Sequence, residues 1–197
     1  MTAGTTNKVA VEFGCEDGSE VNSRRLWEHD GWRGILLDGG YENASLHPNA
    51  SLSRHFITRE NIVEILQQHL APPSPDLLSI DIDFNDFWVL DRLLCSYSPR
   101  VILAEVNRNW GPQDSFTVPY DAQQWWTGSV DYGFPHGTLY HGMSNAALSV
   151  LARAHGYGIS GWKKGGEGAL PAAVSRGEIS RGRVLCGCAL WPVCNVF

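Results

Sequence analysis

Short apolar, β-branched stretches alternate with amphipathic ones along this chain, and few architectures other than a parallel sheet covered by helices accommodate that rhythm. Lys8 to Phe13 (KVAVEF) reads as a buried strand that stops at Gly14. Gly18 to His29 spaces Val21, Leu26 and Trp27 at helical intervals until Asp30-Gly31 closes it, and Gly34 to Asp38 (GILLD) is a second strand. His55 to Thr58 is a weak third. Asn61 to Leu70 places Ile62, Ile65, Leu66 and Leu70 on one helical stripe and ends at Pro72-Pro73. Leu77 to Ile82 and Arg100 to Val106 are strands with the helix Phe87 to Cys95 between them. Ser144 to His155 is a further helix with Gly156 behind it, and Tyr157 to Trp162 a further strand. The pattern predicts an α/β domain, a mostly parallel sheet with helices on both faces. In such sheets ligands bind beyond the carboxyl ends of the strands, near the point where the strand order reverses.

Length and charge narrow the partners. The 197 residues suit one domain, with a recognisable core over 8–160 and a Gly-rich part, 161–197, that resists assignment. Fifteen Lys and Arg against 21 Asp and Glu give a net charge of −6, which disfavours general nucleic-acid binding. Apolar runs fall short of the ~20 residues of a membrane helix, and Met1 to Lys8 has no apolar leader, so no membrane association and a cytoplasmic location are expected. Five cysteines, with Cys186, Cys188 and Cys194 bunched at the end, make a poor disulfide framework and lack a fourth zinc ligand. They read as reduced thiols.

The strand ends carry the chemistry. Glu12, Gly14 and Gly18 form an acidic turn between strand and helix, where glycine lets backbone approach a ligand; its spacing is not the G-x-G-x-x-G of a dinucleotide site. Either it is an ordinary tight turn or it holds a cofactor without phosphates. Asp38 falls 20 residues after Gly18, where a carboxylate can accept both hydroxyls of a ribose or cap the turn at Gly39. Asp81 and Asp83 are expected on one face of an extended strand end, and Glu105 and Asn107 on one face of its neighbour. These four could hold Mg²⁺ or Mn²⁺ through oxygen ligands, or serve as helix cap and general base, with Asp86 close by. Residues 110–142, rich in Trp, Tyr, Phe and Pro, read as a pocket wall that includes Trp125 and Trp126 and ends at His141, a capping or catalytic residue.

The strings VEFGCEDG, GILLDGG, FITRENIVEIL, PDLLSIDIDFNDFWVLDRLL, PRVILAEVN, VPYD and YHGMSNAALSVLARAHGY resemble, in order and spacing, S-adenosylmethionine-dependent methyltransferases of the FkbM-like type. The resemblance runs from Lys8 to about Ile159, and VCNVF is similar to the family's closing strand. It implies a Rossmann-like class I methyltransferase fold, a seven-stranded sheet with an antiparallel last strand, and S-adenosyl-L-methionine as methyl donor. By the same resemblance Glu12, Gly14 and Gly18 are the cofactor loop, Asp38 the ribose acid, Asp81 a cofactor contact and Asp83 a neighbour of the transferring methyl. Phe84 stands where the family usually has glycine, which would put a ring in the cofactor site or alter the turn.

Methyl transfer is an in-line displacement that rests on positioning and exclusion of water. For a hydroxyl acceptor Asp83, Asp86, Glu105 and His141 are the candidate bases. O-methylation of a small hydroxylated molecule is the expected function. A non-catalytic, methyltransferase-like binding module is the alternative, and an NAD-type oxidoreductase a more distant one.

Overall fold

Alternation along β1 (Val9–Phe13) divides its side chains between two layers. Val9, Val11 and Phe13 enter the larger core, as do Ile35 and Leu37 of β2 (Arg33–Asp38), while Leu36 points to the opposite side. The structure, a computed structural model, describes residues 4–107, 109–111, 113–123, 141–162, 170–176 and 194–195. The larger core is covered by α2 (Ile62–Gln68), α3 (Asp86–Leu94) and α4 (Asn145–Ala154), through Ile62, Ile65, Phe87, Leu90, Leu148 and Leu151 among others. On the other face Trp27 of the short α1 (Arg24–His29) packs with Leu36, Ala50 and Leu52. Helices thus lie on both faces, as the sequence pattern requires.

The main sheet also contains β3 (Asn43–His47), β4 (Ala50–Arg54), β5 (Leu77–Ile80), β6 (Val101–Val106), β8 (Tyr157–Trp162) and β9 (Leu170–Arg176), in the order β3-β4-β2-β1-β5-β6-β9-β8. Strands β4, β2, β1, β5 and β6 are mutually parallel. β9 runs antiparallel between β6 and β8. Among the described residues the sheet therefore has eight strands rather than the seven expected, because the β3–β4 hairpin adds an antiparallel edge strand.

Two further expectations are corrected here. The segment His55 to Thr58 is not a strand; the third parallel strand is β4, which ends at Arg54. The closing antiparallel strand is β9, whereas Cys194–Asn195, called β10, pairs with β7 (Phe116–Thr117) in a separate two-stranded sheet. Among the described residues Cys15 and Cys95 form no disulfide; Cys186, Cys188, Trp125, Trp126 and most of 161–197 lie outside the described residues. No described helix is long and apolar enough to cross a membrane.

Two polar anchors fix the layers. Asp76, buried just before β5, accepts hydrogen bonds from the backbone N–H groups of Thr6 (2.7 Å), Asn7 (2.9 Å) and Lys8 (2.8 Å) and pairs with Arg100 at 3.0 Å. Ser144 caps α4: its Oγ accepts the Ala147 N–H and the Phe116 N–H, both at 3.1 Å. Both donors lose their partner in Ser144→Ala, which should cost about 1–2 kcal/mol. Urea denaturation measures this, and a loss under about 0.3 kcal/mol would show the cap to be dispensable.

Candidate functional site

At the carboxyl ends of β1, β2, β4 and β5 the chain opens into a cavity of about 460 Å³. That is ample for a nucleoside-sized ligand. It lies between β1 and β5, on either side of which the strand order runs in opposite directions. Gly14, directly after β1, has φ +69°, and a Cβ placed on it would stand 1.6 Å from the backbone oxygen of Asp81. Only glycine lets these two loops pass so closely. Asp38, at the end of β2, accepts the Glu16 N–H at 2.8 Å through one oxygen and the Gly40 N–H at 2.8 Å through the other. Its carboxylate thereby sets both turns that face the cavity and still lines it. Leu37, Gly39, Gly40, His55, Phe56 and Ile57 supply the rest of this wall, and the backbone N–H of His55 donates to the Asp38 carbonyl at 2.7 Å.

The opposite wall is acidic. β5 ends at Ile80, and the next residues turn: Phe84 N–H donates to Ile82 O at 2.8 Å, and the fully buried Asp86 accepts the Ile82 N–H at 2.8 Å. Asp83 inside this turn is left-handed, with φ +67°. Asp81 and Asp83 consequently do not share the face of an extended strand, yet both line the cavity. From β6, the buried Glu105 brings a carboxylate oxygen toward them: one oxygen of each of Asp81, Asp83 and Glu105 lies within 4.8 Å of the others. Behind Glu105 stands His141, buried, with Nδ1 3.7 Å from Glu105 Oε1. Asn107 holds that segment by donating its amide to the His141 carbonyl at 3.0 Å.

No protein-family model matches the chain, and no curated protein matches it in sequence. Solved structures do. The N-terminal domain of EvdMO1 with SAH bound is similar at 13% identity over 86% of this chain and 74% of that one, with a TM-score of 0.50. An O-methyltransferase family protein from Burkholderia thailandensis is similar at 10% identity over 86% of this chain, which spans 51% of its length, again with a TM-score of 0.50. The chain has a Rossmann-like methyltransferase fold.

Within that methyltransferase fold the residues singled out from sequence fall into three groups. Gly14, Asp38, Asp81 and Asp83 meet at the cavity, with Glu105 adjoining through the carboxylate cluster. Glu12 and Gly18 do not line it. Glu12 is buried and accepts the N–H groups of Asn22 (2.6 Å) and Ser23 (3.0 Å), which holds the approach to α1. Gly18, with φ +93°, faces the Leu46 side chain. Asp86 acts on the turn from inside the protein, and both acceptor positions of the Asn107 amide oxygen are taken by the backbone and side-chain N–H groups of Asn109, at 2.9 Å each. Phe84 is buried and does not line the cavity, so the ring expected there is absent from its wall.

His55, Phe56 and Ile57 were missed, and Asn85, a candidate cap of the helix that follows, stands at the N-cap position of α3 but was not expected on the cavity wall. An aromatic placed directly after an alternating segment, ASLSR, was the available signal for the first three. Its further role shows only in three dimensions: the Asn85 side chain donates to the Asp121 carbonyl at 2.8 Å and ties the cavity to the chain following β7.

Crowded carboxyl groups shape the electrostatics. Burial, then the charges of Asp81, Glu16 and Asp38, push the Asp83 carboxyl up to about 7. Burial, followed by the neighbouring carboxylates, also raises Asp86 and Glu105 above the ordinary range. Asp81 opens on the cavity but is surrounded by protein, and its carboxyl is raised by that burial. The site is thus built to receive positive charge.

Proposed function

We propose that the chain is an S-adenosylmethionine-dependent methyltransferase of the FkbM-like type that methylates a hydroxyl group of a small molecule. One observation carries the reading: among the described residues, a nucleoside-sized cavity at the strand switch point is lined by Asp38, Asp81 and Asp83 and by no Lys or Arg. Such a wall suits a cationic sulfonium cofactor and opposes the pyrophosphate of a dinucleotide. Asp38 would accept the ribose hydroxyls, Phe56 and Ile57 would cover the base, and the close passage at Gly14 would admit the cofactor's backbone-facing edge. Glu12 and Gly18 would act on the cofactor loop through its conformation.

S-adenosylmethionine, when bound, supplies a methyl carbon whose bond to sulfur breaks with its electron pair going to sulfur. The protein then has to orient an acceptor oxygen in line, keep water out and remove one proton. Asp83, which lines the cavity and whose carboxyl is raised to about 7, would take that proton, with Glu105 and His141 standing behind it. Asp83 would border the acceptor, and Asp86 would keep Asp83 in its left-handed turn.

Calorimetric titration with S-adenosylhomocysteine, the reaction product, tests the reading. Binding is expected, and Asp38→Ala should weaken it about 10- to 100-fold through loss of two charge-assisted hydrogen bonds. Tighter binding of NAD than of S-adenosylhomocysteine would overturn it. Cofactor binding without transfer of labelled methyl to any hydroxyl acceptor would favour the non-catalytic binding module instead.

A further inference from the structure

The chain following β7 is tied to both walls of the cavity through one short segment, Val118 to Asp121. On the acidic side the Trp88 indole N–H of α3 donates to the Val118 carbonyl at 2.8 Å. Asn85, itself part of the cavity wall, donates its amide to the Asp121 carbonyl at 2.8 Å. On the facing side the Tyr120 hydroxyl accepts the Arg59 N–H at 3.2 Å and donates to the Glu60 carboxylate. The Tyr120 ring stays with α3, its centroid 6.4 Å from that of Trp88. One side chain therefore joins the two walls.

Each end of that bridge is coupled to residues that line the cavity. Asn61 donates its side-chain amide to the Phe56 carbonyl and accepts the Thr58 N–H, both at 2.8 Å, so a pull at Arg59 reaches Phe56 and Ile57. At the other end Asn85 stands two residues after Asp83, in the turn that gives Asp83 its left-handed conformation. Walls carried by different strands have no spacing fixed by the chain itself. An in-line displacement can lose about 100-fold in rate for an ångström of misplacement, so that spacing matters to the chemistry.

We propose that Tyr120 is a positioning residue: through its hydroxyl, Arg59 and Glu60 it sets the spacing between the wall carrying Phe56 and Ile57 and the wall carrying Asp83. The assignment rests on the methyltransferase reading for the identity of the ligand, and its test separates the two. Tyr120→Phe keeps the ring on Trp88 and removes only the bridge. Calorimetric titration with S-adenosylhomocysteine compares it with the wild-type chain, Glu60→Ala and Glu60→Gln. Tyr120→Phe and Glu60→Ala should each weaken binding about 5- to 10-fold, and combining them should add little. Glu60→Gln still offers the hydroxyl an acceptor and should stay within about twofold, a rescue that neither lost charge nor lost stability would give. Glu60 is exposed, so its two variants decide alone should Tyr120→Phe not fold. Amide hydrogen exchange in the ligand-free protein adds a readout independent of the cofactor. In Tyr120→Phe, or in Glu60→Ala, it should quicken over residues 56–61 and 118–121 together and stay unchanged in β1 and β5. Binding by Tyr120→Phe within twofold of wild type, equal losses in Glu60→Gln and Glu60→Ala, or exchange that is unchanged in either segment or quickened throughout overturns the assignment. Failure of the wild type to bind S-adenosylhomocysteine would instead sink the methyltransferase reading, and exchange would then decide the bridge.

Discussion

Gly14→Ala is expected to abolish detectable S-adenosylhomocysteine binding and to cost about 2–4 kcal/mol of stability, combining left-handed strain with overpacking. The new Cβ would stand 1.6 Å from the Asp81 carbonyl oxygen, a backbone atom with no side-chain freedom to yield. One loop must move by more than an ångström, and either movement displaces a wall of the cavity. Gly31→Ala provides the comparison. Gly31 has a similar φ of +70°, with no atom within 4 Å of the added Cβ, so only the strain, about 1 kcal/mol, should appear and binding should persist. Urea denaturation and calorimetry on the pair separate strain from collision. Equal losses in the two variants would mean that the approach of Gly14 to Asp81 does not shape the site.

Asp76→Ala carries the second large effect, about 3 kcal/mol or more, because it strips the shared acceptor from three backbone N–H groups and leaves Arg100 without its carboxylate. The effect should depend on pH in a defined sense. Burial alone would raise this carboxyl, but the hydrogen bonds from Thr6, Lys8 and Arg100 outweigh it and hold Asp76 well below the usual carboxylate range. A group with a depressed folded-state pKa stabilises fully above its unfolded value, near 4, and loses that contribution as pH falls further. The stability gap between wild type and Asp76→Ala should therefore be largest at neutral pH and narrow below about pH 4. A gap that widens on acidification would contradict the anchoring role.

Strands buried on both faces were legible because they read as continuous apolar runs: KVAVEF, GILLD and RVILAEV all became strands, with ends moved by a residue or so. The β3–β4 hairpin was not. Its residues, NASLHPNASLSR, hold few large apolar side chains, although Ala50 and Leu52 alternate with Ser51 and Ser53 as buried and half-buried positions. β9 was equally hidden, since LPAAVSR carries a proline and small residues and gains its place from the partners on either side.

At the site, the acids at strand ends were found by position, and the argument for Asp81 and Asp83 reached the right neighbourhood through the wrong geometry. Strand alternation ends at Ile80; a left-handed turn held by Asp86 brings the groups together instead. No periodicity encodes a turn fixed by a buried side chain four residues away.

Placement of β9 between β6 and β8 also bears on how the chain is made. β6 is synthesised with one neighbour, β5, and its other edge stays bare until a strand about 60 residues downstream arrives. At ordinary translation speed that interval is on the order of 5 s, during which VILAEV offers unsatisfied backbone groups to any passing strand. β8 emerges earlier than β9 yet cannot join the sheet without it. The nascent polypeptide is thus most prone to aggregate after α4 has formed and before Leu170–Arg176 leaves the ribosome, which is the window in which a chaperone would act.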